Sequence, residues 1–361
     1  MFKIVHVVGA RPNFVKAAPV VFAINELLKE KVNQRIVHTG QHYSKNLSES
    51  FFTDLEIPLP DISLSIKKSS RHGEQTASIL QQIEVTFLRE EPDLLIVYGD
   101  VNSTLAATLA ASKLGIKIAH IESGLRSFDK TMPEEINRKM VDSISDILFV
   151  TEFSGKENLL REGHSPSSIY FVGNTMIDTL SKHLSTIKKS IKLNSKKDFA
   201  LLTCHRPSNV DSLGGLKKLL ELCRATPVDI IMPLHPRTRA RMLSFNLLDS
   251  FKNLENLQMI EPAPYREFVS LLLRCRFVIT DSGGVQEEST YLGVPCLTLR
   301  PNTERPSTIT SGTNTLTSHD NIALNIRCIL EGEFKIGTIP PLWDGKASQR
   351  IAHNIRDIFS L

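Results

Sequence analysis

ITDSGGVQEEST, residues 279–290, runs from an apolar segment through Asp281-Ser282-Gly283-Gly284 into a helix-like stretch carrying Glu287 and Glu288. Two glycines at a helix start let the backbone approach a ligand closely, and the exposed N–H groups there attract anions such as phosphate. Carboxylates in the first turns complement the positive helix end or accept from sugar hydroxyls. A well-capped helix with no ligand has the same local chemistry. The neighbouring segments have to decide.

Those segments repeat the same plan. Short β-branched runs sit at KIVHVVG (3–9), QRIVHTG (34–40), DLLIVYG (93–99), IKIAHIE (116–122), DILFVT (146–151) and SIYFVG (168–173). A second series follows: FALLTCH (199–205), VDIIMPLH (228–235), LQMIEP (257–262), RFVIT (276–280) and PCLTLR (295–300). Helix-like stretches such as FVKAAPVVFAINELLKE and STLAATLAASKLG separate most of them. Apolar strands alternating with amphipathic helices predict an α/β protein with parallel sheets covered on both faces. Eleven candidate strands predict two sheets rather than one. The charged stretch STIKKSIKLNSKKD (185–198) falls between the two series and reads as a solvated linker or helix face. The expected domains are 1–173 and 174–347, with the boundary at Gly173-Asn174. An amphipathic segment at 348–361 is expected to pack back on the first domain.

The totals narrow the function classes. The 361 residues suffice for two domains, and 41% hydrophobic and 23% charged residues are ordinary for a globular protein. A net charge of +4, with no basic stretch interleaved with aromatics, gives no nucleic-acid footprint. Five cysteines, none in a CxxC pair, argue against a disulfide framework and fit a reducing cytoplasm. The first residues lack a signal-peptide pattern, and no run of eighteen apolar residues predicts a membrane span.

In open parallel sheets, ligands bind at the carboxyl ends of the strands. In chain order those ends carry Arg11 and Lys16, Gln41 and His42, Asp100, Glu122, His205, His235, Ser282 and Arg305. GARPNFVK (9–16) offers a glycine, a cation and a helix start, but neither P-loop spacing nor a dinucleotide fingerprint. YGDVNST (98–104) and HIESG (120–124) end successive strands on Asp100 and Glu122. Asp100 equally suits an N-cap. In TMPEEINR (131–138), Thr131 and Glu134 have capping-box spacing, and Pro133 suits a first helical turn. Three carboxylates sharing one crevice would push their pKa values apart, which separates acid from base. His205 in CHRPSNVD (204–211) is a candidate proton donor. His235, followed by Pro236, reads as structural. No HxH, HExxH or Cys/His cluster predicts a metal, no GxSxG elbow is present, and Cys204 reads as a small strand residue.

GARPNFVK, GDVNST, HIESGLRS, MPEEINR, HRPSNVD, TDSGGVQEE and NTERP together resemble the ordered motif series of bacterial UDP-N-acetylglucosamine 2-epimerases of the non-hydrolysing type. The series spans nearly the whole chain. The resemblance implies two Rossmann-like parallel-sheet domains in a glycosyltransferase-B arrangement, with the substrate in the interdomain cleft. It implies a cytoplasmic homodimer acting on a UDP-amino sugar, with no cofactor. By similarity Ser282, Gly283 and Gly284 cradle the UDP diphosphate and Glu288 binds the ribose hydroxyls. Arg11, Lys16 and Arg305 contact the nucleotide sugar, Phe268 flanks the uracil, and Asp100, Glu122, Glu134 and His205 are catalytic. Ala263 stands where some members carry glutamine, and Asn13 replaces an acid, which leaves its role open.

The C2–H of such a sugar is not adjacent to a carbonyl, so simple α-proton abstraction is not available. Expelling UDP from C1 as the C2 proton leaves gives an unsaturated sugar, to which UDP re-adds after protonation on the opposite face. That route needs carboxylates as acid and base, cations on the departing diphosphate and a site that retains both pieces. Other readings are a hydrolysing version that releases ManNAc, a 2-epimerase for another UDP-amino sugar, a glycosyltransferase of the same fold, and a binding protein without catalysis.

Overall fold

The computed structural model describes residues 1–40, 56, 58–66, 71–190 and 199–361, so Gln41, His42 and the end of the lysine-rich stretch lie outside the described residues. The chain divides into two compact units, Met1–Lys182 with Pro341–Leu361, and His183–Pro340. Each is a parallel-sheet α/β layer structure, as the alternation of strands and helices predicts.

In the first unit, β1 (Phe2–Val8), β2 (Val32–His38), β3 (Ile62–Ser63), β4 (Leu94–Tyr98), β5 (Lys117–Ser123), β6 (Ile147–Val150) and β7 (Ile169–Phe171) form one sheet. Their order is β3-β2-β1-β4-β5-β6-β7, with Phe2 opposite Val32 and Ile4 opposite Leu94. Every residue of β4 is buried, as a central strand covered on both faces requires. The strand order reverses between β1 and β4, so a crevice opens beyond their carboxyl ends. Gly9–Arg11 and Gly99–Asp100 emerge there. Alanines 106, 107, 110 and 111 on the helix Asn102–Leu114 are buried, and small side chains let that helix sit close to the sheet.

The closing segment belongs to this unit. Trp343 is fully buried and donates from Nε1 to the Thr151 carbonyl (3.0 Å). The Asp178 carboxylate accepts from the Ala347 and Ser348 amides (3.1 and 2.6 Å) and so caps the helix Ala347–Phe359. That helix packs against Arg11–Leu28, with the Phe2 and Phe359 rings 4.7 Å apart. The change of unit falls within the helix Thr175–Ser190, not at Gly173-Asn174, because the Thr179 hydroxyl bonds to the Val15 carbonyl (2.7 Å) and Asp178 holds the closing helix.

In the second unit, β8 (Phe199–Thr203), β9 (Asp229–Pro233), β10 (Leu257–Ile260), β11 (Phe277–Thr280), β12 (Cys296–Leu299) and β13 (Asn314–Thr317) run in the order β10-β9-β8-β11-β12-β13. The reversal lies between β8 and β11, which puts Cys204–Arg206 and Asp281–Gly283 at a second crevice. One core, including Leu202, Met232, Phe251 and Phe277, fills one face, and another, including Leu201, Leu272 and Val278, fills the other. Among the described residues no helix is long and apolar enough to cross a membrane.

Candidate active site

At the first crevice Lys16 and Glu122 form a buried ion pair. Glu122 is aimed by an irregular backbone. The β5–β6 register slips between Ile121 and Ser123, and Glu122 adopts φ 76°, a left-handed conformation that costs a non-glycine residue about 1–2 kcal/mol. Gly99 (φ 62°) faces the pair, and a Cβ there would lie 3.2 Å from Lys16 Nζ and 3.8 Å from Glu122 Oε1. Asn13 does not reach for a ligand. Its side-chain oxygen accepts from the Ala10 amide (2.9 Å), and its nitrogen donates to the Tyr98 carbonyl (2.8 Å), which ties the β1 exit to the β4 exit. Arg11 opens the helix Arg11–Leu28, and its side chain lies outside the described residues.

Asp100 is no N-cap; the helix after it starts from Val101, and the Asp100 carboxylate is held by Arg138 (2.5 Å). Arg138 also reaches Glu135 (3.1 Å), and Asn137 donates to the Asp100 carbonyl (2.8 Å). The helix Pro133–Ile144 therefore presents Asn137 and Arg138 to the Gly99-Asp100 turn. Thr131 and Glu134 make no capping box. Met132 is the N-cap, and the Thr131 amide (2.9 Å) and hydroxyl (2.6 Å) both turn to Asp129. Glu134 stays half-buried in the first helical turn with no hydrogen bond or ion pair among the described residues. Below these groups the buried His120 ring bridges Asp142 (2.7 Å) and the Gly99 carbonyl (2.9 Å). Burial alone pushes the Asp142 carboxyl up, but the His120 hydrogen bond and the Arg126 guanidinium at 2.7 Å outweigh it and hold it below its usual range.

At the second crevice the buried Asp281 carboxylate accepts from the His205 (3.0 Å) and Arg206 (2.9 Å) amides and from Asn209 (2.9 Å), joining the β11 exit to the β8 exit. The helix Gly283–Leu292 starts at Ser282 with no side-chain cap. Because the Ser282 side chain does not cap it, the first-turn amides keep their capacity for an anion. Gly283 has a second reason to be glycine: a Cβ would come 2.5 Å from an Arg305 nitrogen. Arg305 bonds to Glu287 (2.7 Å) and Glu304, Arg300 bonds to Glu304 (2.7 Å), and Arg206 lies 3.8 Å from it. Arg206, Arg300 and Arg305 thus gather on Glu287 and Glu304 next to the helix start.

Glu288 is buried in the same helix, and burial, reinforced by the Glu287 charge, pushes its carboxyl up to about 8 against the opposing effect of Tyr265. Burial lowers the His205 imidazole from its usual value, aided by the charges of Arg206 and Arg237 and opposed by Asp281. Its ring stacks on His235 with centroids 4.7 Å apart, and His235 caps the next helix by accepting from the Arg237 amide (3.1 Å). Phe268 packs half-buried against the core around Leu201 and Val278. Burial raises the Cys204 thiol well above its usual range, which disfavours the nucleophilic thiolate. Among the described residues no group of three or more His, Cys, Asp or Glu is placed to hold a metal ion.

The candidates read from the sequence did not include His120, Arg126, Asn137, Arg138 or Asp142. The Glu135–Arg138 spacing, three apart on a helix, was a readable signal. The His120–Asp142 contact joins a strand to a distant helix and leaves no local pattern.

Residues 25–356 match the family profile described as UDP-N-acetylglucosamine 2-epimerase. The chain is 41% identical over 356 residues to UDP-N-acetylglucosamine 2-epimerase of Methanocaldococcus jannaschii, covering 96% of each. It is also 41% identical over 363 residues to UDP-2,3-diacetamido-2,3-dideoxy-D-glucuronate 2-epimerase of Pseudomonas aeruginosa, covering 97% of this chain and 98% of that one. The crystal structure of the M. jannaschii enzyme in complex with UDP-GlcNAc and UDP superposes with a TM-score of 0.90 at 41% identity, over 99% of this chain and 100% of that one. With the two parallel sheets and the polar residues gathered at their reversal points, these matches establish that the chain belongs to the UDP-N-acetylglucosamine 2-epimerase family.

Proposed function

We propose that the protein is an isomerase that interconverts UDP-GlcNAc and UDP-ManNAc by eliminating UDP and adding it back. The observation that carries this reading is the division of labour between the two crevices. One gathers carboxylates, with Asp100 on Arg138 and Glu122 on Lys16, while the other offers an uncapped helix start beside three guanidiniums. In the forward step the C1–O bond to the diphosphate breaks and its electron pair leaves with UDP. The C2 proton passes to a carboxylate, and a C1–C2 double bond forms. Reversal with protonation on the other face inverts C2.

Glu134, in the first turn of the helix Pro133–Ile144, is assigned the proton transfer at one face of C2. Asp100 and Glu122, each fixed by a cation, handle the proton of the opposite face and the charge at the leaving group. Lys16, Arg11 and Arg305 are assigned to the nucleotide sugar, Ser282, Gly283 and Gly284 to the diphosphate, Glu288 to the ribose, Phe268 to the uracil and His205 to the phosphates or sugar. A homodimer is part of this reading. Its support is exposed Val85 and Leu88 on the helix His72–Glu90 and Ile136 and Met140 on Pro133–Ile144, two helices that flank Asn102–Leu114. Light scattering of the purified protein tests it.

The P. aeruginosa relative favours a second reading, a diacetamido-glucuronate nucleotide as substrate. Incubation with UDP-GlcNAc and with UDP-2,3-diacetamido-2,3-dideoxyglucuronate separates the two. The first reading requires UDP-ManNAc at an equilibrium ratio with no free ManNAc. Free ManNAc identifies hydrolysis, and turnover of the glucuronate nucleotide alone reassigns the sugar.

A further inference from the structure

Phe128 stands out among the exposed apolar side chains of the first unit. It is 70% exposed, yet its backbone sits at φ 59°, in the left-handed region that a bulky residue rarely occupies. Glycine or asparagine would hold this turn without strain. The conformation is imposed by Glu135, whose buried carboxylate accepts from the Ser127 amide (2.7 Å), the Ser127 hydroxyl (2.9 Å) and the Phe128 amide (3.2 Å). The same carboxylate binds Arg138 (3.1 Å), which holds Asp100 (2.5 Å). On the other side Asp129 fixes Thr131, just ahead of the helix that carries Glu134. One buried acid thus sets both the turn under Phe128 and the guanidinium on Asp100. Among the described residues no aromatic ring or cation stacks on the Phe128 ring, so packing gives no reason for an aromatic there. Strain held by surrounding bonds, at a residue that packing does not need, points to function.

We propose that Phe128 is a substrate contact, whose ring lies against the C–H face and acetamido methyl of the amino sugar. It would thereby retain the unsaturated sugar after UDP has left. Once the C1–O bond has broken, that intermediate has lost its diphosphate anchor, and contacts to the sugar itself must hold it. An aromatic face supplies such a contact to a ring of C–H bonds without an ordered charge. The assignment rests on the epimerase reading above.

The test compares wild type with Phe128→Gly and Phe128→Asn, both of which relax the backbone. Expected are a melting temperature raised by a few degrees, an unchanged Kd for UDP, and a Kd for UDP-GlcNAc weakened about tenfold. The rate of epimerisation should fall at least tenfold, and UDP with free unsaturated sugar should accumulate in the NMR spectrum. Unchanged UDP-GlcNAc affinity with unchanged turnover overturns the proposal. A lowered melting temperature with UDP affinity lost in parallel also overturns it, by showing a structural role. If wild type turns over neither nucleotide sugar, the epimerase reading fails. The selective weakening of UDP-GlcNAc over UDP is a binding measurement and still decides the contact.

Discussion

Lys16 and Glu122 are both buried, and each is tolerated there because of the other. Removing one partner leaves an uncompensated charge. Lys16→Met is therefore expected to destabilise the protein by about 3–5 kcal/mol in urea unfolding and to abolish turnover. Adding Glu122→Gln should recover most of the stability and none of the activity; a double variant as unstable as the single would contradict the pairing. Glu288 makes the opposite case, a buried acid with no cation paired to it among the described residues. Its carboxyl titrates near 4.5 when unfolded and about 8 when folded, so between those values the folded state holds the extra proton. Stability is then fully present below the lower value and falls as pH rises through the window. Glu288→Gln should flatten that fall, by an amount on the order of a few kcal/mol between pH 5 and 8.5. Parallel pH profiles for variant and wild type would count against it. Asn13 shows what residue type alone does not convey: its role is open in the sequence, and its bonds make it a strut between two turns.

Among the elements, glycines placed against carbonyls and guanidiniums set the local geometry. Gly124, at φ 76°, would put a Cβ 2.3 Å from the Gly155 carbonyl oxygen just past Glu122, so Gly124→Ala should cost more than about 1 kcal/mol and lower turnover. Gly283→Ala should displace Arg305 and weaken UDP binding about tenfold or more with little loss of stability. Calorimetry showing wild-type affinity would remove the helix start from the site. The strands with long apolar runs were legible because burial on both faces forces that pattern. β13 was not, since three of the four residues of its NTLT sequence are polar and its Asn314 side chain is buried among partners, accepting from Thr298 (2.6 Å) and donating to Gln286 (3.0 Å). β3 is two residues long and gives no periodicity to read. The order of acids and cations at the strand ends was visible in the sequence; which acid meets which cation was not. Glu135 rather than Glu134 turned out to bind Arg138, a choice made by side-chain direction on the helix.

Across the whole molecule, the chain leaves its first unit within the helix Thr175–Ser190 and returns to it at Pro341. Asp178 secures that return by capping the closing helix, so Asp178→Ala should cost about 1–2 kcal/mol and speed hydrogen exchange in Ala347–Phe359. Protection equal to wild type would show that packing alone holds the helix. The central claim of the proposal is that the nucleotide sugar is epimerised at C2 by elimination of UDP and its re-addition. Following UDP-GlcNAc by NMR in heavy water tests it most directly. UDP-ManNAc carrying deuterium at C2 is the predicted result, and epimerised product retaining its original C2 hydrogen would contradict the account.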